Sequence, residues 1–207
     1  MTTTPEGSAR GLRLPRSERR EQLLLAARAV FSEKGYHATV MDDIAERAGV
    51  SKPVLYQHFP GKLDLYVALL DESGEQLLTR LHAALRSTTD NKQRVTATVA
   101  AYFDFVDDPG SAHRLLFESD ITNEPAVSDR LDRFTMLCAQ EIAKIITEDT
   151  GLPVDESTLL AIGLVGIAQV TARYWLTTDG SIPRSTAAEL VATLGWRGIR
   201  GFPMRDE

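Results

Sequence analysis

Apolar residues recur at every third or fourth position through most of this chain, and almost no stretch alternates apolar with polar long enough to make a strand. A period of 3.6 residues belongs to a helix that buries one face, whereas a half-buried strand needs a period of two. The chain is therefore predicted to be all-α, and its Gly and Pro positions divide it into about nine helices. Residues 1–16 hold Pro, Gly, Thr, Ser and spaced arginines without periodicity and read as a disordered basic arm. The first helix is expected from a Ser17 cap, with a stripe of Leu23, Leu24, Ala27, Val30 and Phe31, and to end at Gly35. The second is short, opened by Thr39 with Asp42 three positions on, and closed by Gly49. The third starts at Ser51, with Pro53 in the first turn where a missing N–H costs nothing, and runs to about His58, before Phe59-Pro60-Gly61.

Beyond that break the helices lengthen. A fourth spans about 62–86, and a fifth carries Val95, Val99, Tyr102, Phe103 and Val106 up to Pro109-Gly110. A short sixth holds Leu115, Leu116 and Phe117, and a seventh carries Val127, Leu131, Phe134, Ile142 and Ile145 up to Gly151. The eighth, about 155–178, is apolar all round between Leu159 and Val170, which predicts burial on more than one side. The ninth, about 185–200, has a stripe at Ala187, Leu190, Val191 and Leu194.

The formal net charge of −6 over 207 residues argues at first against a nucleic-acid partner. Its distribution reverses that argument: residues 1–62 carry 10 Lys and Arg against 7 Asp and Glu, net +3, and the remainder is net −9. The single cysteine, Cys138, sits at helical spacing from Phe134 and Ile142 and is expected to be a buried reduced thiol. The N-terminus has no apolar run of the kind a secretory signal needs, and the longest apolar run, 159–168, is about half a membrane span, so a cytoplasmic protein without membrane contact is expected. His37, His58, His82 and His113 have no metal-ligand spacing with one another or with Cys138, and no catalytic arrangement stands out; neither metal nor cofactor is expected.

The informative segment is 39–64, TVMDDIAERAGVSKPVLYQHFPGKLD. Ile44, Ala45 and Ala48 form the inner face of the second helix, and Val54, Leu55 and Phe59 pack inward from the third. Two short helices joined through a glycine turn make a helix-turn-helix, here 40–59. Ser51, Lys52, Tyr56, Gln57 and His58 are left outward, a set of hydrogen-bond donors with one cation that suits the DNA major groove. Lys62, at the positive end of the next helix, favours a backbone phosphate.

This segment resembles the DNA-binding region of the TetR family of bacterial transcriptional regulators. The resemblance is carried by Asp43-Ile44-Ala45, by the A-G-V-S of 48–51, the L-Y-x-H-F of 55–59 and the G-K-x-D-L of 61–65, and by Ala26-Ala27 with the F-x-x-x-G-Y of 31–36. It covers roughly 17–77, and implies a homodimer whose three N-terminal helices bind a palindromic double-stranded DNA operator. Residues 78–207 would then form an effector-binding and dimerisation domain. The resemblance implies phosphate contacts for Thr39, Tyr56, His58 and Lys62, and places Ser51, Lys52, Pro53 and Val54 where the recognition helix enters the groove. Many members have Gly or Ala followed by Ser or Thr where this chain has Pro53-Val54; Val54 offers a methyl contact to thymine in place of a hydrogen bond. Tyr56 and His58 each have a packing alternative, and Arg10, Arg13, Arg16, Arg19 and Arg20 serve either a minor-groove arm or a solvated tail.

In similar proteins the central helices enclose an effector cavity. On that ground Tyr102, Phe103, Phe117, Phe134 and Tyr174 are expected around an apolar or aromatic small molecule, with His113, Gln169 and Arg173 as polar anchors. Leu164 and Ile167 of the eighth helix and Leu190, Val191 and Leu194 of the ninth are expected in a four-helix intersubunit bundle. The expected function is a sequence-specific regulator, a homodimeric repressor released from its operator by the effector. Activation and a vestigial front domain on an enzyme or carrier are the alternatives.

Overall fold

A computed structural model of the chain describes residues 14–108, 121, 123–178 and 180–199. Among these residues the fold is all helical. The eight helices are α1 (Arg16–Ala38), α2 (Met41–Arg47), α3 (Lys52–His58), α4 (Lys62–Arg86), α5 (Asn91–Asp107), α6 (Pro125–Thr150), α7 (Val154–Leu176) and α8 (Arg184–Ile199). The expected short helix around Leu115–Phe117 lies outside the described residues, as do Arg10, Arg13 and His113.

Local signals set most helix ends, with two corrections. Ser17 caps nothing: the first turn is entered from Pro15, whose carbonyl accepts the Arg19 N–H at 3.0 Å. Thr39 is one residue too early for α2. Val40 precedes that helix, and the Asp43 carboxylate accepts the Val40 N–H at 3.2 Å. Gly35 breaks α1 as expected, at φ 75° and ψ 170°. Asp90 accepts the Gln93 N–H at 2.8 Å to start α5, and Gly151 ends α6 in the left-handed region.

Helices α1 to α3 and the first half of α4 enclose one core, built on Leu23, Phe31, Ile44, Leu55, Phe59, Leu65, Tyr66 and Leu70. Phe31 and Tyr36 meet Tyr66 edge-on at 5.3 and 5.1 Å, joining α1 to α4. The rear of the chain packs α6 along α7 and α5 along α8, with α4 lying against α5 and α6. Arg184 at the start of α8 pairs with Asp104 at 3.0 Å and Asp107 at 3.3 Å, and the Trp175 indole donates to the Ile182 carbonyl at 2.7 Å across the α7–α8 connection.

Within the chain, α7 is not buried all round. Ala161, Val165, Ala172 and Trp175 face inward, while Leu159 is 71% exposed and Ile162, Val170 and Tyr174 are also open to solvent. By length and composition alone α7 could cross a membrane. The same composition suits a helix that meets its own core on one side and an apolar partner on the other.

Candidate functional site

The turn between α2 and α3 is tightly determined. Gly49 sits at φ +64°, and the Val50 and Gly49 N–H groups donate to the carbonyls of Ala45 and Glu46, each at 3.0 Å. This closes α2 with a Schellman motif, which needs a left-handed residue at that point. From α1, the Gln22 amide donates to the Ala48 carbonyl at 2.8 Å, so the turn is fastened to the helix behind it. Leu55 and Phe59 are buried, and the Arg20 guanidinium lies 4.5 Å from the Phe59 ring centroid. With that face anchored, Ser51, Lys52, Pro53, Tyr56 and Gln57 are exposed together, while Val54 and His58 are half-buried. Desolvation, and then the nearby Arg16, Arg20 and Arg19, lower the His58 pKa, so its imidazole is neutral at pH 7. Lys52 is held near the surface by Asp42 at 2.5 Å.

Two residues expected at phosphate are turned inward. Thr39 is fully buried and its hydroxyl donates to the Gly35 carbonyl at 2.7 Å, closing the break in α1. The Lys62 ammonium donates to the carbonyls of Tyr36 and Thr39 at 2.8 Å and of His37 at 3.4 Å, and lies 4.4 Å from the Tyr36 ring centroid. All three of its protons are thus engaged, so a phosphate would have to displace a carbonyl. Lys62→Met is accordingly expected to lower folding stability by about 2 kcal/mol, since hydrogen bonds from charged groups contribute roughly 1.5–3 kcal/mol. Lys52→Ala should change stability by less than about 0.5 kcal/mol and weaken DNA binding for all sequences alike. Thermal unfolding and gel shift on the two variants separate these roles; equal stability of both would refute the inward role of Lys62.

Behind this domain lies a cavity of about 290 Å³. Its wall comes from five helices, including Leu77 and Leu81 of α4, Val95 and Tyr102 of α5, Cys138 and Ile142 of α6, Leu164 and Ile167 of α7, and Val191 of α8. Burial, with a smaller contribution from Glu141, pushes the Cys138 thiol up to about 11, which keeps it protonated. Burial also raises the Tyr102 phenol. Polar groups are few: Asn91, Arg94, Thr98, Asp149 and Thr150, with Gln169 held by Thr135 at 3.1 Å.

Of the ligand residues expected from sequence, Tyr102 and Gln169 line this cavity. Four others do not. Phe103 is core, packed 5.6 Å from the Trp175 ring; Phe134 packs against α4; Arg173 and Tyr174 are exposed. Phe117 and His113 lie outside the described residues. The aliphatic wall was missed because aromatic residues were favoured by type, while cavity facing depends on how helices pack.

The expected dimer residues divide in the same way. Leu190 and Leu194 point outward, 63% and 59% exposed, but Leu164, Ile167 and Val191 line the cavity. The outward set also includes Leu159, Ile162, Val170 and Tyr174, with Gly163 and Gly166 leaving open space beside them on α7.

One helix joins the two regions. Val127 and Leu131 at the start of α6 pack into the N-terminal core, whereas Cys138 and Ile142 face the cavity. Between them Phe134 lies on Gly74 of α4, so close that a Cβ at position 74 would come within 2.2 Å of its ring. Arg130 to Asp71, at 3.2 Å, reinforces the contact.

Residues 23–69 match the family model described as bacterial regulatory proteins, tetR family. The chain is 46% identical over 198 residues to the HTH-type transcriptional activator FasR of Mycolicibacterium smegmatis, covering 96% of this chain and 90% of that protein. Among solved structures, a TetR-like transcriptional regulator from Rhodococcus sp. RHA1 is 30% identical with a TM-score of 0.69, over 91% of this chain and 100% of that one. FadR from Bacillus subtilis, crystallised in complex with stearoyl-CoA, shares the fold at 22% identity and a TM-score of 0.68, over 86% and 98% of the two chains. With a helix-turn-helix of this geometry and a full-length relative at this identity, the chain belongs to the TetR family of DNA-binding transcriptional regulators and is not an enzyme.

Proposed function

We propose that the protein is a ligand-controlled homodimer that sets α3 of each protomer into successive major grooves of a palindromic operator. The observation that carries this reading is α6, which contributes side chains both to the core beneath α3 and to the cavity wall. Residues 17–77 form the DNA-binding unit and 78–207 the effector and dimer unit, with the boundary inside α4. Ser51, Lys52, Pro53, Val54, Tyr56 and Gln57 meet the DNA, and a cytoplasmic location follows from that partner. The protomers join through the outward leucines of α7 and α8.

The ligand is a long aliphatic chain. Two things support this over an aromatic effector: the wall is mainly Leu, Ile and Val, and the FadR neighbour carries stearoyl-CoA in its crystal. Binding would move α6 against α4 and change the separation of the two recognition helices. Half-sites lie about 34–36 Å apart, so a change of a few ångströms breaks the match. A hundredfold preference of the ligand for one state corresponds to about 2.7 kcal/mol. A repressor was the sign expected from the sequence, but the name of the relative at 46% identity favours activation.

Gel shifts against genomic fragments at two salt concentrations test the DNA reading. A preferred fragment is expected, with affinity falling steeply as salt rises. Equal binding to random DNA would refute it. A promoter-reporter with and without the gene then reads the sign, and loss of expression on deletion supports activation.

A further inference from the structure

Each Lys and Arg of the segment 39–62 is already engaged within the chain. Arg47 at the end of α2 pairs with Glu33 of α1, Lys62 donates to three carbonyls, and the Lys52 ammonium lies 2.5 Å from the Asp42 carboxylate. Only the last of these engages a residue of α3. Lys52 opens that helix, and its side chain stands 60% exposed beside Ser51, Pro53, Tyr56 and Gln57. Asp42, in the first turn of α2, is 56% exposed. Among the described residues neither side chain has another hydrogen bond or ion pair.

The start of α2 does not need Asp42. Its neighbour Asp43 accepts the Val40 N–H at 3.2 Å and pairs with Lys34 at 2.8 Å, so the carboxylate that favours the positive end of this helix is already supplied. Asp42 instead reaches across the α2–α3 turn to the lysine. An exposed ion pair of this kind is weak, and another anion can replace the carboxylate. A DNA phosphate that reaches Lys52 must take the ammonium from Asp42, and then lies close to the carboxylate left behind.

We propose that Asp42 is a positioning residue that limits DNA affinity: it holds the Lys52 ammonium against α2, and a backbone phosphate must displace it to gain that contact. This rests on the reading that α3 meets DNA, and adds a residue of the same surface that opposes the contact. A phosphate contact carries no base information, so Asp42 lowers affinity for all sequences alike and leaves base preference to the other exposed side chains of α3.

Fluorescence anisotropy of the full-length protein with a labelled DNA duplex of random sequence, over a series of salt concentrations, tests this. Asp42→Asn should bind about threefold more tightly where one α3 is engaged and about tenfold where both are, because freeing the lysine removes a weak competing pair from each. Its log affinity should also fall more steeply with log salt, by about 0.9 for each lysine released. A merely structural role for Asp42 would give no gain and leave that slope unchanged. Removing a negative charge near DNA also raises affinity by long-range attraction, and Lys52→Met separates the two causes. Loss of more than half of the logarithmic gain when Asp42→Asn is made in the Lys52→Met background supports the proposal. A smaller loss overturns it, as does an Asp42→Asn protein that binds no more tightly than the wild type; both leave α3 on DNA. Failure of the wild type to bind the duplex even at low salt overturns that reading as well.

Discussion

The double substitution Leu190→Glu, Leu194→Glu is expected to convert the protein from dimer to monomer and to weaken operator binding by about 10²–10⁴-fold. Both leucines are mostly exposed in the single chain, so the protomer loses little by their replacement. In a dimer their burial contributes about 1.5–3 kcal/mol each, and a carboxylate placed there must be desolvated without a partner. The loss in DNA affinity follows from bivalency: once one recognition helix is bound, its tethered twin sees the second half-site at millimolar effective concentration. Sedimentation velocity and a gel shift measure the two effects. Leu164→Ala and Val191→Ala, on the cavity side of the same helices, should leave the dimer intact and alter ligand binding. If the double variant stays dimeric, the partner surface lies elsewhere.

Gly74→Ala is the second change with a large expected effect. Alanine normally favours a helix over glycine by about 0.5–1 kcal/mol. Here its Cβ would sit 2.2 Å from the Phe134 ring, and overpacking of this kind costs about 1–3 kcal/mol. The ring must swing away, and α6 with it. A lower melting temperature is expected, together with DNA binding that no longer responds to ligand. Adding Phe134→Leu should relieve the clash and recover both properties, a coupling that a double-mutant cycle quantifies. A Gly74→Ala protein that is more stable than wild type and still responsive would show that this contact does not transmit the signal.

Much of the N-terminal domain was legible in sequence because its signals are local. Gly35, Gly49, Pro53 and Pro60-Gly61 act on their own few residues, and α3 and α4 begin and end within a residue or so of the positions they imply. The inward bonds of Thr39 and Lys62 were not legible, for the opposite reason. Their partners are the carbonyls that a broken α1 exposes, and only the fold shows how those carbonyls come within reach. The rear domain was legible as helices but not as faces. A helix apolar all round has no stripe from which to choose an inner side, so sequence could not show that Leu164 and Ile167 turn toward the cavity while Tyr174 turns to the outside of the chain. Nor does sequence distinguish Phe103, which fills the core, from Tyr102, its neighbour, which lines the cavity.

If α6 moves as proposed, the contact of Phe134 with Gly74 sets the scale of that motion. Val127 lies seven residues before Phe134 and Ile142 eight after, about 10 and 12 Å along the axis. Pinned at Phe134, α6 is a lever with nearly equal arms, so an ångström of sideways displacement at the cavity returns as about an ångström in the opposite sense beneath the DNA-binding helices. Such a lever neither amplifies nor damps. On the proposed mechanism the reach of the response is decided by how far a ligand can push the α6 wall, and a ligand too short to press on Ile142 is expected to bind without moving the other end.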